Sequence, residues 1–96
     1  MQITVDLFSL FHMLSGETFP VILEMTGDAC VRDVLRVLSD RYGCKFEQTL
    51  FPMGGDKLAN EVNVLLNGKN ISLAQGLDTP LSHLDQMALL VTITGG

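Results

Sequence analysis

The sequence predicts an α+β fold of the β-grasp type, a mixed sheet of about five strands with one main helix packed across it. Three observations predict it. Segments with apolar residues at alternate positions open and close the chain, one stretch between them carries apolar residues at helical spacing, and an Asn-Gly pair separates two strand-like segments in the second half. Alternation marks a half-buried strand, and a period of about 3.6 marks a helix with one apolar side. Such a helix must cover something, and the apolar face of the strands is the only candidate of sufficient size.

Gln2 to Phe8 alternates, with Ile3, Val5 and Leu7 on one face and Gln2, Thr4, Asp6 and Phe8 on the other. Ser9 to Leu14 loses the alternation and reads as a helical turn, after which Ser15-Gly16-Glu17 reverses the chain. The second strand sets Phe19, Val21, Leu23 and Met25 inward. Pro20, with no N–H to donate, places it at an edge. Val31, Val34, Leu35, Leu38 and Tyr42 then predict a helix of about three turns, with a left-handed stop at Gly43. Arg32, Asp33, Arg36, Asp40 and Arg41 fall off its apolar stripe as a solvated face.

Residues 45–61 read as a partly packed connection, because Phe46, Leu50, Phe51 and Leu58 call for burial while Pro52-Met53-Gly54-Gly55-Asp56 signals a turn. Val62 to Leu66 is a strand with Val62, Val64 and Leu66 inward, and Asn67-Gly68 turns it into the short return Lys69-Asn70-Ile71. Gln75 to Leu81 is a turn with one helical twist. In the last strand Leu89, Val91 and Ile93 point at the helix, and Leu90, Thr92 and Thr94 point outward. First and last strands are expected side by side and parallel at the centre, so that Gly95 and Gly96 project from one end of the sheet.

Composition narrows the function classes. With 96 residues, 47% apolar and 18% charged, the expectation is a single domain over 1–96 with a pliable tail at 95–96. The opening residues lack a basic segment, Asp6 interrupts the first apolar run, and no stretch approaches the roughly 20 apolar residues of a membrane span. A cytoplasmic, soluble protein is expected, with no membrane partner. The net charge is -5 and the six basic residues form no phosphate-tracking stripe, which argues against nucleic acid.

Cys30 and Cys44 flank the main helix about 21 Å apart, too far for a disulfide, and with His12 and His83 they lack metal-ligand spacing. Cys30 reads as a small residue at a helix start. Gly54-Gly55 lacks the lysine and hydroxyl that a phosphate loop requires. No nucleophile–base pair or convergent carboxylates can be assembled, so the chain is not expected to be catalytic alone, and no bound cofactor or metal is expected. What remains is the end of the chain. Two glycines beyond a fixed strand make a thin, pliable tip that could pass a narrow channel where any side chain would clash.

Several stretches, in this order and spacing, resemble the MoaD/ThiS-type sulfur carriers related to ubiquitin. They are Leu7 to Gly16, Cys30-Val31-Arg32-Asp33-Val34-Leu35, Val64 to Ile71 with its Asn-Gly hairpin, Asp78-Thr79-Pro80-Leu81, and the closing Gly95-Gly96. His12 stands where many relatives carry arginine, and Leu84 where their turn usually has glycine. The resemblance implies a ubiquitin-like fold and a reacting atom on Gly96, whose carboxylate an E1-like enzyme adenylates with its own ATP and Mg. A persulfide donor then converts the adenylate to a thiocarboxylate. The implied acceptor is the large subunit of a molybdopterin synthase, with this chain as the small subunit in molybdenum cofactor biosynthesis. Another sulfur-accepting enzyme, in thiamine, cysteine or thionucleoside synthesis, and conjugation to protein lysines are the alternatives.

The docking surface follows from parity. Phe8, Leu65 and Leu90 are apolar on the face away from the helix, where polar residues such as Thr4 and Asn63 are the norm, and Thr92 and Thr94 share that face nearer the tail. Three large apolar residues there predict an interface.

Overall fold

The computed structural model describes residues 1–55 and 57–91. Among these, five strands form one sheet: β1 (Gln2–Leu7), β2 (Val21–Glu24), β3 (Val62–Leu66), β4 (Lys69–Asn70) and β5 (Gln86–Val91). Their spatial order is β2-β1-β5-β3-β4. β1 and β5 are parallel neighbours with Val5 opposite Met87 and Leu7 opposite Leu89, and the other pairs are antiparallel. The first and last strands therefore share the centre, and β2 lies at an edge, both as expected. The Ile93, Thr92, Thr94, Gly95 and Gly96 expectations lie outside the described residues.

Helices α1 (Ser9–Ser15), α2 (Val31–Tyr42) and α3 (Cys44–Leu50) and two short 3₁₀ turns, Ile71–Leu73 and Gly76–Asp78, complete the fold, so Ile71 opens a 3₁₀ turn and does not extend β4. Val31, Val34, Leu35 and Leu38 of α2 are wholly buried in one core with Ile3, Val5, Val64, Met87 and Leu89 of the sheet. The start of α2 is well satisfied. The Asp33 carboxylate accepts the Cys30 N–H at 2.9 Å, and the Val31 N–H donates to the Thr79 carbonyl at 3.1 Å. That Cys30 N–H holds Asp33 below its ordinary value of 3.8, against a weaker opposing effect of burial. At the other end the Tyr42 hydroxyl donates to Glu17 at 3.1 Å and pins the loop that follows α1.

The sequence reading needs correction in several places. Gly43 has φ 93° and ψ -169°, an extended positive-φ region open in practice to glycine alone, and not the left-handed helical stop expected. It turns the chain directly into α3, so the connection expected over 45–61 begins as a helix. Phe46 and Leu50, one turn apart, are fully buried, and the Phe46 ring sits 5.1 Å from Phe11 and 5.2 Å from Tyr42. Ser9 to Leu14 is more than a turn, since α1 runs to Ser15 and buries Phe11. Phe19 is exposed and not inward, because β2 begins only at Val21, whereas Leu66 packs against the core as expected, though only half-buried.

Two tight connections fix the end of the sheet where β5 begins. Asn67 and Gly68, at φ 52° and 85°, form the hairpin between β3 and β4. The Asn67 side chain accepts the Gln86 N–H and donates to Asp85, each at 3.0 Å. In the loop before β5, Asp85 accepts the Ser82 N–H at 2.8 Å, the Leu84 N–H donates to the Gln2 carbonyl at 2.8 Å, and His83 Nδ1 accepts the Gln2 N–H at 2.9 Å.

Candidate functional site

β5 is held by β1 over residues 86–89, ending with Leu7 opposite Leu89, and by β3 over residues 87–91, ending with Val62 opposite Val91. The Phe8 N–H extends the central pairing by donating to the Leu89 carbonyl at 2.9 Å. The chain beyond Val91 thus starts from the most firmly anchored strand of the sheet. Gly95, Gly96, Thr92 and Thr94 themselves lie outside the described residues.

The three apolar residues predicted on the outward face fall close together. Ala88 is flanked by Asp6 and Leu65, and Leu90 has Asn63 opposite it on β3. Phe8 lies one residue past β1 with extended backbone, φ -114° and ψ 166°, so the strand alternation carries through it and sets it beside Leu90. Leu65 is diagonal to Leu90 across β3 and β5, a spacing of about 7–8 Å within reach of long side chains. Phe8 is 51% exposed, while Leu65 and Leu90 are half-buried. Parity places Asp6 on this face, and register sets it beside Ala88. A shallow depression of about 120 Å³ lined by Asp6, Leu65, Gln86 and Ala88 opens beside them.

A second concavity of about 270 Å³ lies on the helix side, lined by Arg32, Arg36, Ser39, Asp40, Glu47 and Phe51. Arg32 is ion-paired with Asp78, so the face expected to be merely solvated ties α2 to the turn before β5. Mixed charge and distance from β5 separate this cleft from the outward face. Cys30 is the residue preceding α2 and Cys44 the first of α3, placing each at a helix start. Among the described residues no group of His, Cys, Asp or Glu could hold a metal ion, and no helix is long and apolar enough to cross a membrane.

A mixed sheet with parallel first and last strands at its centre, crossed by one long helix, is a β-grasp domain of the ubiquitin-like class. The chain belongs to the ThiS family, whose profile matches residues 13–96. Its fold is similar to the small archaeal modifier protein 1 from Methanosarcina acetivorans, at 31% identity and a TM-score of 0.81, covering 99% of this chain and 96% of that one. It is also similar to a putative molybdopterin converting factor, subunit 1, from Pyrococcus furiosus, at 23% identity and TM-score 0.76 over 97% and 99% of the two chains. A third similar structure comes from the BexX/CysO complex of Amycolatopsis orientalis, at 20% identity and TM-score 0.75 over 98% and 99%. No curated protein matches the sequence significantly. Family and fold together make this a ubiquitin-like protein of the sulfur carrier and modifier group.

Proposed function

We propose that this protein is a sulfur carrier whose Gly96 carboxylate is adenylated and then converted to a thiocarboxylate, serving as the small subunit of a molybdopterin synthase. One observation carries the reading: the closing Gly-Gly follows, after three intervening residues, a strand locked at the centre of the sheet. A firm post with a tip lacking side chains suits entry into a partner's channel.

The chemistry explains why partners are required. A carboxylate is a poor electrophile, because its charge is delocalised and its leaving group would be oxide. A Gly96 carboxylate oxygen attacks the α-phosphate of ATP on an E1-like enzyme, which supplies the nucleotide and Mg, and pyrophosphate leaves. The persulfide sulfur of a donor then attacks the acyl carbon and the nucleotide monophosphate departs. Cleavage of the resulting acyl disulfide by a thiol reductant leaves the thiocarboxylate, with the reductant oxidised to a disulfide. Gly96 is thus a substrate, and Gly95 gives the tip its freedom. The outward face around Phe8, Leu65 and Leu90, with Thr92 and Thr94, is the surface on which both the activating enzyme and the large synthase subunit would dock.

The test is the mass of the C-terminal peptide after incubation with an activating enzyme, ATP and a sulfur source. Replacement of oxygen by sulfur on Gly96 is expected, localised at the peptide because oxidation of any of the five methionines adds nearly the same mass. An unmodified tail, with an enzyme that activates its own cognate carrier, removes the reading. A second reading, conjugation of Gly96 to protein lysines, is favoured by the 31% identity to the small archaeal modifier protein. Higher-mass conjugates that disappear on deletion of Gly96 would select it.

A further inference from the structure

α1 is built unlike a helix that faces only water. Its sequence, Ser9-Leu10-Phe11-His12-Met13-Leu14-Ser15, contains no Asp, Glu, Lys or Arg in a chain that is 18% charged. Phe11 enters the core and Leu14 packs against it, while Leu10 and Met13 are exposed, Met13 with 76% of its surface. Three residues apart, they are neighbours on one helix face, where a surface helix ordinarily sets charged or polar groups. Phe8 joins this face to the outward face of the sheet, since it ends the extended run of β1 and immediately precedes α1.

Chain length decides what covers it. Gly96 is five residues beyond Val91, and five residues span at most about 18 Å even when fully extended. An enzyme that brings the α-phosphate of ATP to that carboxylate must therefore close on the domain within this distance of the end of β5. α1 packs against β5, with the Phe8 N–H bound to the Leu89 carbonyl, and so it lies inside the footprint. The loop carrying Leu84 is at the opposite end of β5, about 20 Å away along the strand.

We infer that the Leu10–Met13 face of α1 is a docking surface for the adenylating enzyme, covered by an uncharged, apolar rim around the channel that admits the tail. The inference rests on the adenylation of Gly96 proposed above and goes beyond it by adding a helix to the sheet face. The activating enzyme is the occupant because adenylation precedes either fate of the tail, whereas acceptors differ between the two. The unbranched thioether of Met13 suits a contact that must settle against a partner.

The experiment measures ATP-dependent pyrophosphate release by an activating enzyme, with this chain as the varied substrate. The Met13→Glu variant is expected to raise KM about tenfold with little change in kcat, the pattern of lost docking without lost chemistry. Leu84→Glu, another exposed apolar site at the far end, should behave as wild type. Far-UV circular dichroism and thermal unfolding accompany each variant, and Met13→Gln replaces Met13→Glu if the latter does not fold. An unchanged KM for the folded Met13 variant overturns the inference. So does normal adenylation with impaired delivery to the acceptor, which would give the helix to the acceptor instead. A wild-type chain that is itself inert, with an enzyme active on its own carrier, overturns the adenylation reading as well, and is recognised because no substitution is involved.

Discussion

Leu84 holds φ 72° in the loop before β5, a left-handed conformation that costs an L-residue with a β-carbon about 1–2 kcal/mol. Its side chain is 62% exposed, so little burial offsets that cost. Glycine adopts this region freely and loses more entropy on folding, by about 0.5–1 kcal/mol. The balance favours the Leu84→Gly variant by about 0.5–1 kcal/mol, to be read as a rise of a few degrees in the thermal midpoint. A lower midpoint would mean that Leu84 is held by contacts worth more than its backbone strain. The sequence already marked this position, since it departs there from the glycine usual in the resembling turn. The φ angle supplies the physical meaning of that departure.

At the scale of the element, the first turn of α2 is closed by Asp33 accepting the Cys30 N–H. Because this bond and the nearby Arg32 and Arg36 lower the folded-state pKa below 3.8, the contribution is present above the ordinary pKa and is lost as pH falls through the lowered one. The Asp33→Asn variant should lose about 1 kcal/mol at neutral pH, the scale of a helix-capping bond. Denaturant unfolding from pH 7 down to about 2 should show the gap between wild type and variant closing below about pH 4. A gap that stays constant over that range would mean that the charge of Asp33 contributes nothing. α2 was legible in the sequence because Val31, Val34, Leu35, Leu38 and Tyr42 repeat through about three turns, and the Asn67-Gly68 hairpin because both residues accept positive φ. α3 was not legible. With Phe46 and Leu50 alone buried in seven residues, it is too short to display a period, and it is held by the Phe11 ring of α1, distant in sequence, together with the nearby Tyr42 ring at the end of α2.

At the scale of the whole molecule, β5 joins the buried core to the end of the chain that is proposed to react. The outward face was legible by alternation, since side-chain parity within a strand says which residues share a face. Which of them touch depends on the register between strands, and only the parallel pairing of β1 with β5 sets Phe8 beside Leu90 and Ala88 beside Asp6. No local pattern encodes that register, because the pairing spans most of the chain. If this face docks the activating enzyme, its contribution is binding made equally before and during reaction, whereas Gly96 carries the chemistry. The Leu90→Glu variant should therefore raise KM for adenylation about tenfold at nearly constant kcat, while deletion of Gly95 and Gly96 should abolish the reaction. Leu90 is half-buried on the side of the sheet away from the core, so its variant should remain folded by circular dichroism. Equal loss of kcat and kcat/KM in Leu90→Glu would place the residue in the transition state and refute a pure docking role. An unchanged KM would remove the outward face from the activating complex altogether, leaving the tail and the α1 face as its candidate contacts.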